Sequence, residues 1–339
     1  MRKFIALFFL LAFLGFPLFG YFYFKRELFS KKRVNAEFEV KKGESLKEVL
    51  FRLKKEGVID NPFLVYYFAR YKGVSVKRGC YSFNGRLSPV EVLRELEKGS
   101  PCLKEFTVLP GSTIFDLDRL FTKKGFCKEG ELLSLSKDKN FLKELRVPSL
   151  EGFIYPDTYK VNKGATCREV VEVAVNRFHS VVGELLKNYT PPEKVRLALG
   201  DKPSLLSLIT VASIVEKETA LEKEKPLVSA VIYNRLIKGM KVECDPTVIY
   251  AFRLRGEKKK RLLYSDLKID SPYNTYLYNG LPPSPICNPS LSSIKAALYP
   301  AEVNYLYFVA NGKGGHYFAE TYSQHLKNVR KYRKWQRGS

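Results

Sequence analysis

The sequence predicts an α+β protein: an N-terminal transmembrane helix, one or two small α/β modules, and a mainly helical core with short strands. Three observations predict it. Phe4 to Phe24 is a run of 21 residues without a charge, long enough at ~1.5 Å per helical residue to cross a ~30 Å hydrocarbon layer. A strand–turn–helix pattern that begins at Phe38 returns, with substitutions, at Phe106. Finally, Ser204 to Thr219, SLLSLITVASIVEKET, is apolar from Leu205 to Val215 except at Ser207, Thr210 and Ser213. A helix apolar nearly all round and too short to span a bilayer is the buried helix of a soluble core.

The N-terminal run is flanked by Arg2 and Lys3 on one side and Lys25 and Arg26 on the other, so the distribution of basic residues does not orient it. No A-x-A site follows it, which favours an uncleaved anchor over a signal peptide. Residues 1–3 are then a short tail, 4–24 the anchor and 25–36 a basic stalk. The segment Phe38-Glu-Val-Lys-Lys-Gly43-Glu-Ser45-Leu-Lys-Glu48 alternates like a strand, turns at Gly43 and starts a helix at Ser45, with Glu three positions on as a capping box requires. Phe106 to Asp116 repeats the plan, with Gly111, Thr113 and Asp116 in the same places. Between them, Ser88-Pro89-Val90-Glu91 opens a helix that runs to Lys98, with Pro at the first position. The first unit, 37–102, resembles a LysM-like module through Leu53, Gly57, Val58 and Tyr66; a plain α+β spacer is the alternative.

The remainder, 103–339, has the second strand–turn–helix unit at 103–125 and is helical beyond it. Leu150 to Tyr159 is too aromatic and too rich in breakers for a helix and reads as an ordered loop. Val170 to Leu186 is an amphipathic helix, and Leu227 to Ile237 is a second apolar one that carries Asn234 and Arg235. Cys244-Asp245-Pro246-Thr247 reads as a turn, Lys258 to Arg261 as a solvated loop, and Ser290 to Tyr299 as a helix. Tyr305 to Ala310 reads as a short buried strand that leads into a tight turn at Asn311 to His316. The glycines of that turn lack the order of a phosphate loop. His316 and His325 lack partners at metal-ligand spacing, so neither a metal nor a cofactor is expected.

The length of 339 residues implies two or three domains. With 58 Lys and Arg against 35 Asp and Glu, the formal charge is +23. That suits an anionic partner (nucleic acid, membrane surface or acidic wall polymer) or a thermophile-like surface. Six cysteines stand singly. In an exported chain Cys80 with Cys102, or Cys244 with Cys287, are the first pairs to consider, beside free buried thiols.

The end of the buried helix carries Glu216, Lys217 and Glu218. On a 3.6-residue period Glu218 shares a face with Val211 and Ile214, and Glu216 lies about 200° away beside Ile209 and Ala212. The two therefore cannot form a carboxylate dyad. Burial and the negative end of the helix dipole both raise the pKa of a carboxyl in the last turn, as a general acid needs. A solvated helix end is the competing reading.

Several blocks, in order, resemble the MltG (YceG-like) family of membrane-anchored endolytic murein transglycosylases. They are Leu150-Glu-Gly-x-x-Tyr155-Pro-Asp157-Thr-Tyr159, Ala212-Ser-Ile-Val-Glu216-Lys-Glu218-Thr219 and Asn234-Arg235-Leu236. Further along come Asp245-Pro-Thr-Val-Ile-Tyr250, Tyr273-Asn274-Thr-Tyr276, Gly280-Leu-Pro-Pro283 and Tyr307-Phe-Val-Ala-x-Gly312-x-Gly-Gly-His316. The resemblance implies cleavage of the MurNAc–GlcNAc β-1,4 bond in nascent glycan strands without water, leaving 1,6-anhydro-MurNAc ends. It places the catalytic acid at Glu218 and the enzyme outside the cytoplasmic membrane. Glu216, Asp157, Asp245, Asn274 and Tyr276 are the expected glycan-binding residues, although Asx residues beside Pro and Gly also serve as turn and cap groups. Expected partners are peptidoglycan strands, the membrane through the anchor, and peptidoglycan synthases. The anchor and the scattered charge argue against nucleic acid. The alternative is a non-catalytic peptidoglycan-binding scaffold, against which the presence of Glu218 counts.

Overall fold

The computed structural model describes residues 18–338. Residues 4–17 of the predicted anchor lie outside the described residues, and no helix among those described is long and apolar enough to cross a membrane. The chain divides into two compact units, residues 1–104 with 160–163, and residues 105–159 with 164–339.

The first unit starts with a helix, α1 (18–29), that exposes Phe19, Tyr21 and Phe22 but buries Leu28 in the unit's core. Strand β1 (Lys32–Val40) then begins inside the predicted stalk 25–36, so no free stalk separates α1 from the module. The reason is period-two burial: Val34, Phe38 and Val40 face the core with Asn35 and Glu37 outward. It pairs antiparallel with β2 (Gly79–Leu87), Phe38 opposite Tyr81 and Ala36 opposite Phe83. Between the strands lie α2 (Leu46–Lys55) and α3 (Pro62–Lys72); α4 (Pro89–Lys98) follows β2. The caps are those the sequence predicts, with Ser45 and Ser88 each exchanging bonds with the glutamate three residues on. Cys80 and Cys102 form a disulfide.

Strands β3 (Leu103–Thr107) and β4 (Thr158–Asn162) pair in a sheet of two. In the second unit α5 (Ile114–Lys123) carries the second capping box, Thr113 with Asp116. After α6 (Glu131–Leu135) and α7 (Lys139–Glu144), the predicted loop is a set of buried turns, Glu151 to Tyr155, that runs directly into β4. Glu151 fixes these turns. Its carboxyl accepts from the Ile114 N–H (3.0 Å) and the Tyr250 hydroxyl (2.8 Å), and Asn288 joins the Ile154 N–H (2.9 Å) to the Ser112 carbonyl (3.0 Å).

Helices α8 (Cys167–Leu186) and α9 (Glu193–Leu199) lead to α10 (Leu205–Glu218), whose residues Leu208 to Val215 are all buried. It is packed by α11 (Lys225–Ile237), α12 (Asp245–Leu254) and α13 (Leu291–Leu298). Cys244 to Thr247 is therefore a helix start and not a turn, with Pro246 in the first turn, where its missing N–H has no cost. Strands β5 (Tyr307–Ala310) and β6 (His316–Ala319) form an antiparallel hairpin, and β5 is half-buried where a buried strand was expected. Helix α14 (Tyr322–Gly338), basic and polar, packs on the hairpin. Gly312 sits at φ 78°, and a Cβ there would run into the Trp335 ring.

The expected Cys244–Cys287 pair is not formed: both thiols are free and buried, Cys287 against the Ser213 carbonyl and Cys244 against that of Val242. Instead Cys127 and Cys167 are joined across 40 residues. In the chain-entropy picture that closure contributes on the order of 4 kcal/mol, and the Cys80–Cys102 bond about 3 kcal/mol.

Candidate active site

Glu216 and Glu218 leave α10 in different directions. The Glu216 carboxylate accepts from the Ser290 N–H (3.0 Å) and the Ser293 hydroxyl (2.6 Å), so it caps the N-terminus of α13, where the helix dipole favours an anion. Buried Lys225 lies 3.7 Å away. Glu216, expected among the glycan-binding residues, thus holds α10 to α13 instead. Glu218, the last residue of α10, opens into a cavity of about 250 Å³ that Arg235, Glu243, Asp245, Tyr276, Phe308 and His316 also line.

Helices α10, α11 and α12, the loop of Tyr276 and the β5–β6 hairpin meet at this cavity. Asp245, the first residue of α12, accepts a 2.6 Å bond from the Tyr276 hydroxyl. The loop that carries Tyr276 is held to the start of α12 by Thr275, whose hydroxyl takes the Cys244 N–H (3.0 Å) and lies 2.9 Å from that of Thr247. Arg235 of α11 is almost fully buried. It donates to the Leu306, Lys241 and Val242 carbonyls and to the Glu243 carboxylate (2.8 Å), fixing the floor. Glu243 adopts φ 53°, a left-handed backbone that a non-glycine residue takes at a cost of order 1 kcal/mol or more, and such strain gathers at functional sites.

Burial pushes the Glu218 carboxyl up to about 7; a hydrogen bond with the Cys244 thiol opposes this and the Asp245 charge adds to it. Burial also raises the Cys244 thiol well above its usual range, so it sits beside Glu218 as a neutral group. Glu151 is raised to about 7 as well, again by burial. It is enclosed by its own donors, however, and only Glu218 faces an open cavity. A carboxyl protonated near neutrality, beside an ionisable Asp245 and a tyrosine hydroxyl, can deliver a proton to an oxygen in the cavity.

Two other expected residues stand elsewhere. Asp157 is tied to Arg177 at 2.8 Å, outside the cavity. Asn274 is fully buried inside its own loop, where Nδ2 donates to the Leu267 and Ile269 carbonyls and Oδ1 accepts from the Tyr276 N–H. It shapes the loop that presents Tyr276 and is not itself offered to a ligand.

The YceG-like family profile matches residues 38–331. The chain belongs to the YceG-like family. A relative named endolytic murein transglycosylase, from Bacillus subtilis (strain 168), is 31% identical over 322 residues, 89% of this chain and 86% of the relative. A protein of the same name from Streptococcus pneumoniae serotype 2 is 27% identical over 332 residues, 88% of this chain but 58% of that longer protein. The crystal structure of a YceG-like protein from Listeria monocytogenes matches with a TM-score of 0.57 at 28% identity, covering 87% of this chain and 99% of that one.

Two site residues of this YceG-like chain escaped sequence reasoning. Arg235 was visible only as part of an Asn-Arg-Leu block, and His316 only as the end of the Tyr307-to-His316 block and as a metal ligand set aside. Its partner, Glu224, is 92 residues away and offers no local signal. A larger hollow of about 560 Å³ lies at the neighbouring residue of α11, Asn234, and includes Lys194, Lys238 and Glu302. Its carboxylates, Glu193, Glu302 and Glu320, are exposed, so the chemistry is assigned to the smaller cavity, into which the buried end of α10 opens.

Proposed function

We propose that the chain is a membrane-anchored endolytic lytic transglycosylase that cleaves the MurNAc–GlcNAc β-1,4 bond of peptidoglycan and leaves 1,6-anhydro-MurNAc ends. The observation that carries this reading is Glu218, a carboxyl raised to about 7 by burial and open to a polar cavity in a YceG-like fold. Hydrolysis calls for two carboxyl groups with roles set by their separation, about 5 Å for retention and ~6.5–9.5 Å for inversion. A transglycosylase needs no water, because the sugar's own 6-hydroxyl closes the ring. Glu218 protonates the leaving oxygen; in the simplest scheme it then takes the 6-hydroxyl proton itself. Asp245 and Tyr276 supply hydrogen bonds to sugar hydroxyl and acetamido groups. The test is mass spectrometry of sacculi treated with the full-length chain: anhydro ends are expected, and reducing ends alone would refute the reading.

Because the general acid must carry its proton, kcat/KM is expected to fall as pH rises through about 7. A profile flat from pH 6 to pH 8 would remove Glu218 from the role of acid.

The 4–24 run, whose aromatic residues Phe19, Tyr21 and Phe22 are exposed on α1, supports a single uncleaved anchor with the second unit outside the cytoplasmic membrane. A reporter fused after Ser339 should be active only if it folds outside; activity confined to the cytoplasm contradicts this topology. The strand–helix–helix–strand order from β1 to β2 supports the LysM-like reading of the first unit.

A further inference from the structure

The cavity holds a second group built to move a proton. The His316 N–H donates to Glu224 Oε1 (3.0 Å), and its Nδ1 lies 2.7 Å from Glu224 Oε2. Glu224 is 6% exposed, and its carboxylate also takes a 3.3 Å bond from the hydroxyl of Thr219, the residue after Glu218. An oxygen with these donors is an acceptor, so Nδ1 carries the hydrogen and Nε2 of the neutral ring carries the lone pair. Among the described residues no protein group is hydrogen-bonded to Nε2, and the residue lines the same cavity as Glu218. The ring is held edge-on by Phe308 at 5.3 Å and by Phe318 at 6.2 Å. A Cβ on Gly315 would collide with Glu224 Oε1, so the residue before His316 is one that leaves room for the clamp.

A carboxylate that fixes the tautomer of an imidazole on the wall of a reaction cavity is the arrangement of a general base. Resting on the transglycosylase reading above, we propose that His316 is the base of the ring-closing step and Glu218 only its acid. The C1–O4 bond of the glycosidic link breaks and O4 takes the proton of Glu218. The O6–C1 bond forms and the O6 proton passes to Nε2 of His316. The products are an anhydro end and a free 4-hydroxyl, and solvent returns the proton from the imidazolium to the Glu218 carboxylate. The scheme needs no further reactant.

The test uses the full-length chain on glycan strands and reads the release of anhydro ends. His316→Asn retains an N–H donor for Glu224 but has no second ring nitrogen. It is expected to lose 10²-fold or more in kcat with KM nearly unchanged and melting close to normal. In His316→Ala, added imidazole should restore part of the lost turnover, and it should not do so in Glu218→Gln. Near-normal turnover by His316→Asn would show that the clamp is structural and overturn the proposal, as would a defect confined to KM that imidazole leaves unchanged. If the unaltered chain releases no anhydro ends, the transglycosylase reading itself fails, and the proposal falls with it.

Discussion

Glu218→Gln is expected to lower glycan cleavage by on the order of 10³–10⁴-fold, about 4–5 kcal/mol of barrier, with the melting temperature unchanged or slightly raised. Glutamine matches the shape of glutamate and can keep a hydrogen bond with Cys244, but it has no proton to give. Folding should not suffer, because burial disfavours the charge on this carboxyl, raising it to about 7, and an amide carries no charge. Anhydro-muropeptide yield and thermal unfolding should be measured on the same preparation. Cleavage within tenfold of the unaltered chain would return the acid to Asp245 or to a group outside the cavity.

Glu216→Ala should do the reverse. It removes the anion that the Ser290 N–H, the Ser290 and Ser293 hydroxyls and buried Lys225 all face. The Lys225 side chain is 4% exposed and keeps only exposed Glu222 (2.8 Å) as a counter-charge. Removing one partner of a buried charge pair costs ~3–5 kcal/mol, and the retained Glu222 points to the lower end. A fall of several degrees in melting temperature is expected, with turnover per folded molecule within a few-fold of normal. Unchanged melting together with a catalytic defect equal to that of Glu218→Gln would mean that Glu216, and not only Glu218, handles protons.

What could be read from the sequence was what is local along the chain. Capping boxes at Ser45, Ser88 and Thr113 depend on residues three apart, and each predicted helix start is present. The opposed directions of Glu216 and Glu218 follow from helical period alone. The start of α12 was misread because Asp-Pro signals a turn and a first helical turn alike, and only the buried face of Val248 and Ala251 separates the two. Helix α14 carries too little apolar periodicity to announce itself, since its support comes from the hairpin. The Cys127–Cys167 bond and the Glu224–His316 pair join positions 40 and 92 residues apart, and no spacing rule encodes such closures. Asn274 appeared to be a ligand-binding amide because its burial inside the 267–276 loop is a tertiary fact.

The packing of Trp335 over Gly312 ties one wall of the cavity to a helix remote from the acid. The hairpin that forms that wall leans on α14, whereas Glu218 lies more than a hundred positions earlier, in a helix packed by α11, α12 and α13. Local opening need not spread evenly through a fold, and segments with fewer buried contacts release first. An opening that frees α14 would loosen the wall that carries His316 and leave the helix of Glu218 packed, so the two sides of the cleft can lose order separately.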